Sequence, residues 1–235
     1  MNAIYQYLLS GIETDYETVR TLKNGERGSV LLLRHRQSGA RFVLHHYRGS
    51  GEVYRRLLSV SCPNLPKIME AAEQDGMTAV LEEYIQGDSL ALLLEGARFT
   101  PAEARKITLQ LCNALWTLHA MGAVHRDVKP ENVILRGSEA VLIDFDASRI
   151  FKGEMSRDTQ VLGTTGYAAP EQYGIAQTDE RADLYALGVL LNIMLTGKHP
   201  SQELAGGRLG HIVQKCTMVN PKKRYQNVLH LMEAL

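Results

Sequence analysis

Eight consecutive residues, His125-Arg126-Asp127-Val128-Lys129-Pro130-Glu131-Asn132, bring a carboxylate, an ammonium group and an amide into one short stretch. A short apolar run later comes Asp144-Phe145-Asp146, with two more carboxylates. Phosphoryl transfer to a hydroxyl asks a protein for few things: a carboxylate that orients the hydroxyl and accepts its proton, a cation near the transferring phosphate, and oxygen ligands for magnesium. Asp127 suits the first role, Lys129 the second, and Asn132 with Asp144 the third.

Groups so far apart in sequence act together only if packed elements hold them in place. From about residue 16 to residue 83 the sequence shows short β-type runs, such as Ser29-Val-Leu-Leu-Leu33 and Arg41-Phe-Val-Leu44, with turns expected at Asn24-Gly25 and Ser38-Gly39. Residues 52–60 differ, because Val53, Leu57 and Val60 recur at helical spacing and predict one short helix on that sheet. Pro63 and Pro66 are expected to separate it from the next strand. After Gly87 longer helices take over. Thr100-Pro101-Ala-Glu103 reads as a helix start, and Ile107, Leu111, Ala114, Leu115 and Leu118 carry one apolar stripe toward Gly122. A second helix is predicted from near Asp179, through Leu184, Leu187, Leu191 and Leu195, to a stop at Gly197. The expectation is an α+β chain with a small β-rich lobe over about residues 14–86 and a larger helical lobe over about 87–235. A cleft is expected near residues 83–88.

The order and spacing of these motifs resemble the protein kinase superfamily over nearly the whole chain. Gly163-Thr164-Thr165-Gly166-Tyr167-Ala168-Ala169-Pro170-Glu171 is similar to the segment that closes the kinase activation loop. Asp183-Leu-Tyr-Ala-Leu-Gly188 resembles the following core helix, whose aspartate braces the catalytic loop, and Arg224 resembles the arginine that pairs with the glutamate at Glu171. The resemblance implies a single bilobal kinase domain over residues 1–235 that uses ATP and Mg2+, with Asp127 as base. Lys129, two residues past Asp127, resembles the serine/threonine-specific enzymes, so the implied acceptor is a protein Ser or Thr. Arg126 resembles the arginine of kinases switched by activation-loop phosphate, with Ser156, Thr159 and Thr165 as acceptors to weigh against ordinary solvated hydroxyls. Thr164 resembles the threonine that hydrogen-bonds near the catalytic aspartate.

The N-terminal half departs from the pattern. Residues 22–30 occupy the place of a glycine-rich phosphate loop, but Lys23 stands at the first glycine and only Gly25 and Gly28 remain, ahead of Val30, which would cap the adenine. A plain hairpin turn is the competing reading. His45 stands where the third strand of a kinase carries its phosphate-gripping lysine, and a neutral imidazole has neither the charge nor the reach. His46, on the opposite face, is expected to be exposed. The usual glutamate partner is in doubt: Glu52 is the one acidic candidate, equally readable as a solvated helix-start charge. Glu83 falls at the hinge whose backbone meets adenine, and Glu82 at a gatekeeper position that is usually apolar. A buried carboxylate there needs a partner, and His45 across the sheet is the expected one, with a raised histidine pKa as the consequence. Asp146 replaces a glycine, which either stiffens the segment or adds a metal ligand.

Lys plus Arg and Asp plus Glu number 26 each, so no global charge points to nucleic acid or an anionic membrane. No apolar run reaches the roughly 18 residues of a membrane span. Residues 1–10 do not read as a signal peptide, and the three cysteines are unpaired in pattern, which fits a reducing cytoplasm. Three functions compete. A protein kinase with weak or atypical ATP handling explains the retained Asp127, Lys129, Asn132 and Asp144, and Lys23 or Arg27 could replace the missing lysine, as in the with-no-lysine kinases. A non-catalytic pseudokinase that serves as a regulatory platform explains the losses in the nucleotide-gripping half. A small-molecule kinase of similar fold accords less well with the peptide-docking look of Ala168-Ala-Pro-Glu171.

Overall fold

The structure, a computed structural model, describes residues 3–151, 164–173 and 178–235. These fall into two compact units, one formed by residues 1–62 and 66–85, the other by 63–65 and 86–235. Residues 63–65 side with the second unit through Asn64, whose side-chain amide donates to the Ala140 carbonyl at 2.8 Å and whose own carbonyl accepts from the Leu142 N–H at 2.9 Å.

The N-terminal unit opens with helix α1 (Ala3–Asp15), followed by strands β1 (Tyr16–Gly25), β2 (Gly28–His35) and β3 (Arg41–Arg48). Helix α2 (Glu52–Leu57) then leads to β4 (Ile68–Gln74) and β5 (Met77–Glu83). The strands form one antiparallel sheet in the order β1-β2-β3-β5-β4. Alternation sorts the side chains of β3 to two faces: Leu44 joins a cluster under α1, whereas His45 and Tyr47 turn to the side of Tyr54 on α2. Val53, Tyr54 and Leu57 of α2 are buried there.

Helix α1 was not among the expected elements. Tyr5, Leu8, Leu9 and Ile12 nonetheless follow helical i, i+3, i+4, i+7 spacing, and they pack on Leu33, Leu44, Ala72, Ala79 and Leu81 of the sheet. This cover corrects the expectation for His46, which is half-buried because the Tyr5 hydroxyl lies 2.7 Å from its Nε2. The first hairpin also turns two residues later than expected: Gly25 pairs with Gly28, so Glu26-Arg27 form the turn.

In the C-terminal unit, β6 (Asp88–Ser89) and helix α3 (Leu90–Gly96) precede the long helix α4 (Pro101–Ala120). Thr100 caps α4 as the sequence predicts: its hydroxyl accepts from the Glu103 N–H while Glu103 accepts from the Thr100 N–H. Strands β7 (Ala123–Val124), β8 (Val133–Arg136), β9 (Glu139–Leu142) and β10 (Arg149–Ile150) form two small sheets, β6-β8-β9 and β10-β7, that flank the segment bearing Asp127. Helix α5 (Arg181–Thr196) is buried around almost its whole circumference and ends at Gly197, whose φ of +77° suits the left-handed C-terminal position. Helices α6 (Gly207–Cys216) and α7 (Val228–Ala234) complete the unit. Cys112 and Cys216 are buried free thiols, and burial pushes the Cys216 thiol up to about 12, which suits apolar packing and not reactivity. Among the described residues no helix is long and apolar enough to cross a membrane.

Candidate active site

Residues 125–132 leave β7 as irregular backbone, pass through one turn of 3-10 helix at Pro130–Asn132, and enter β8. Arg126 adopts φ +71°, a left-handed conformation that costs a non-glycine residue energy and persists only where neighbours impose it. Asp183 of α5 is that neighbour. Its Oδ1 accepts from the Arg126 N–H at 2.7 Å, and its Oδ2 from the His125 N–H at 2.9 Å and from His119 Nε2 at 2.8 Å. Asp183 is fully buried, and burial alone would push its carboxyl up; donation by the His119 ring, the positive field of His119 and His125, and the Arg126 N–H outweigh this and hold it below the ordinary carboxylate range. Gln172 pins the same loop from the other side, donating from Nε2 to the Arg126 carbonyl at 2.8 Å while its Oε1 accepts from the Ala169 N–H at 3.0 Å.

Three of the expected site residues, Thr164, Lys129 and Asn132, meet around the Asp127 carboxylate. Oδ1 accepts from the Thr164 hydroxyl at 2.7 Å, and Oδ2 lies 2.7 Å from Lys129 Nζ and 3.0 Å from Asn132 Nδ2. Lys129 Nζ also donates to Thr164 Oγ1 at 2.7 Å, and Asn132 Nδ2 to the Asp127 carbonyl at 2.9 Å. The ring of contacts fixes the carboxylate orientation. An aliphatic hydroxyl already donates to it, which is the interaction that a substrate hydroxyl would make before transfer.

Asp144 is a second left-handed residue, at φ +67°, just after β9. Its segment is tied to Asn132 by the Ile143 N–H, which donates to the Asn132 carbonyl at 2.9 Å, and Phe145 packs edge-on against the His125 ring. Asn132 spends its amide nitrogen on Asp127, so the group that it could offer a cation is its oxygen, which with the Asp144 carboxylate would supply hard ligands of the kind Mg2+ takes. Asp146 contributes through its backbone, its N–H donating to Asp144 Oδ1 at 3.3 Å.

Beyond this loop, Arg224 forms a buried two-pronged pair with Glu171, at 2.6 and 2.8 Å, and also donates to the Arg181 and Met218 carbonyls. Arg126 is itself buried, with 3% exposure. Thr165 is exposed, and Ser156 and Thr159 lie outside the described residues.

In the N-terminal unit, Val30 and His45 stand directly opposite each other in the β2–β3 ladder. His45 Nε2 lies 3.0 Å from Glu82 Oε1, and both residues are 3% exposed, so the expected pairing is present. Glu52 pairs with Arg56 on its own helix at 2.8 Å, half-exposed, and so takes the reading of a surface helix charge. Gly25 and Lys23 are exposed. Gly28, at φ +150°, is pressed against β3: a Cβ there would lie 2.2 Å from the His46 carbonyl oxygen and 2.5 Å from Tyr47 Cα. The Glu83 N–H donates to the Lys67 carbonyl at 2.9 Å. Sequence reasoning missed His119 and Gln172. Neither belongs to a motif: His119 supports the Asp183 carboxylate from a helix far away in sequence, and Gln172 meets backbone atoms of two loops.

A buried acidic brace under a strained catalytic loop, together with the Glu171–Arg224 pair, defines a protein kinase C-terminal unit. The protein kinase domain matches residues 16–233, and the chain belongs to that family, with its α+β fold. It is 32% identical over 204 residues to serine/threonine-protein kinase pkn2 of Myxococcus xanthus, covering 79% of this chain and 25% of that protein. It is 32% identical over 199 residues to serine/threonine-protein kinase PknD of Mycobacterium tuberculosis, covering 79% and 30%. Human serine/threonine-protein kinase DCLK3 is 30% identical over 258 residues, 93% and 39%. The chain thus spans about a quarter to two-fifths of the length of these relatives.

Proposed function

We propose that this chain is a single serine/threonine protein kinase domain that transfers the γ-phosphoryl group of ATP to a protein hydroxyl, with an unusual grip on the nucleotide. The observation that carries the reading is the Asp127 carboxylate held between Thr164, Lys129 and Asn132. Asp127 orients the acceptor hydroxyl and takes its proton at Oδ1 or Oδ2, and Lys129 exchanges its contact with Asp127 for the transferring phosphate. Asn132 Oδ1 and the Asp144 carboxylate would hold Mg2+, which would supply positive charge to the phosphate oxygens when bound. Val30, His45 and the Glu83 carbonyl contribute nucleotide contacts in the N-terminal unit, with Gly25 and Gly28 shaping the hairpin. Arg126 and a phosphorylated Thr159 are the proposed switch. The buried free cysteines favour action in a reducing cytoplasm.

A second reading, a regulatory pseudokinase, is favoured by one observation: the buried His45 ring is committed to Glu82 at 3.0 Å, and an imidazole lacks the reach of a lysine to meet a phosphate as well. Purified protein given Mg2+, labelled ATP and a serine/threonine-rich protein separates the two. Label in the acceptor with the parent, reduced at least about a thousandfold in Asp127→Asn, is the expected result. Equal background label in both proteins overturns catalysis and leaves the second reading.

A further inference from the structure

We propose that Tyr5 is a positioning residue for β3, holding His45 in place through His46. Helix α1 precedes the segment that matches the kinase domain, which begins at residue 16, yet it is an integral part of the N-terminal unit. Tyr5 and Leu8 are buried against Leu33, Leu44, Ala79 and Leu81, a sheet face that would otherwise present contiguous apolar surface to water. The helix is tied down near both ends: the Tyr5 hydroxyl meets His46 Nε2 at 2.7 Å in the middle of β3, and the Asp15 carbonyl accepts from the Arg36 N–H at 2.8 Å beside the β2–β3 turn.

The link from α1 to the opposite face follows from strand geometry. Consecutive residues of β3 point to opposite faces, so a hydrogen bond that fixes His46 under α1 fixes the peptide that also carries His45. His45 in turn sits between Val30 and Val80 in the ladder and meets Glu82. Small displacements of a packed strand are passed on to its neighbours because interiors are close-packed. Tyr5 therefore acts across the sheet without touching a nucleotide. The functional part of this inference rests on the proposed nucleotide contact of His45; the mechanical part does not.

The test uses Tyr5→Phe, which keeps the ring and removes only the hydroxyl, with Tyr7→Phe on the exposed side of α1 as control. In 13C-histidine-labelled protein without nucleotide, with the His45 signal assigned by its loss in His45→Ala, Tyr5→Phe is expected to shift the His45 ring resonances and Tyr7→Phe to leave them in place. MgATP affinity by calorimetry should fall about threefold to tenfold in Tyr5→Phe, at a temperature where both proteins are fully folded. His46→Gln, whose amide can still meet the Tyr5 hydroxyl, should stay within about twofold of the parent, and His46→Leu should reproduce Tyr5→Phe. His45 resonances that coincide in Tyr5→Phe and the parent overturn the proposal. Shifted resonances with an affinity that not even His45→Ala changes overturn only the nucleotide role of His45.

Discussion

The Asp127 carboxylate and the His45 imidazole show two ways of holding a polar group. Asp127 is half-buried and satisfied by donors that a reaction can replace, since the Thr164 hydroxyl and the Lys129 ammonium are the kinds of group that a substrate hydroxyl and a phosphate would exchange with. His45 is buried with its Nε2 3.0 Å from Glu82 Oε1, a contact that a phosphate could replace only by leaving a buried carboxylate without its partner. One substitution tests whether this difference limits nucleotide binding. Lysine at position 45 would carry a full charge at neutral pH on a longer stem, with Glu82 beside it to orient the ammonium. His45→Lys should raise MgATP affinity about tenfold, as measured by calorimetry against the parent. Unchanged or weaker binding would mean that this residue does not limit the grip.

At the level of elements, the β1–β2 hairpin separates what a motif suggests from what the chain needs. Gly28 resembles a phosphate-loop glycine, yet its missing side chain is demanded by β3, whose backbone would lie within 2.5 Å of any Cβ. Gly28→Ala should therefore destabilise the N-terminal unit by about 2 kcal/mol or more, read from urea unfolding, because backbone and not a flexible side chain must give way. Loss of nucleotide affinity at unchanged stability would restore the phosphate-loop reading. The case also shows how legible the fold was. Helices α4 and α5 were readable to within a few residues because their capping box, apolar stripes and terminal glycine are local signals. Asp127, Lys129, Asn132 and Asp144 stood out in the sequence because phosphoryl transfer restricts residue types. The cover on His46 was not, since it depends on α1, a helix lying 41 residues away from Tyr5 to His46 in sequence. The bracing by His119 and Gln172 was equally hidden, because His119 reaches the Asp183 carboxylate across 64 residues of sequence and Gln172 is addressed to backbone atoms that every residue shares.

At the scale of the whole C-terminal unit, the loop with Asp127 is held by buried polar contacts and not by its own propensity, for two of its neighbouring groups, Arg126 and Asp144, sit at positive φ. Asp183 carries most of this constraint, with two backbone N–H groups and one imidazole on a carboxylate that water does not reach. Replacing it by asparagine keeps the shape but removes the charge and puts a donor where acceptors are needed. Asp183→Asn should cost about 2–4 kcal/mol of stability at pH 7 and abolish any transfer activity before the unit unfolds. The pH dependence has a definite sign. The Asp183 carboxyl is held below its ordinary range in the folded protein, whereas in the unfolded chain it titrates near 3.9, so its contribution is complete above that value and disappears as the pH falls through the lower, folded one. Urea unfolding at pH 7, 5 and 3 should show parent and variant far apart at the first two values and closer at the third. A gap that stays constant down to pH 3 would show that the Asp183 carboxyl titrates alike in the folded and unfolded protein, and the charge-based account of the brace would fail.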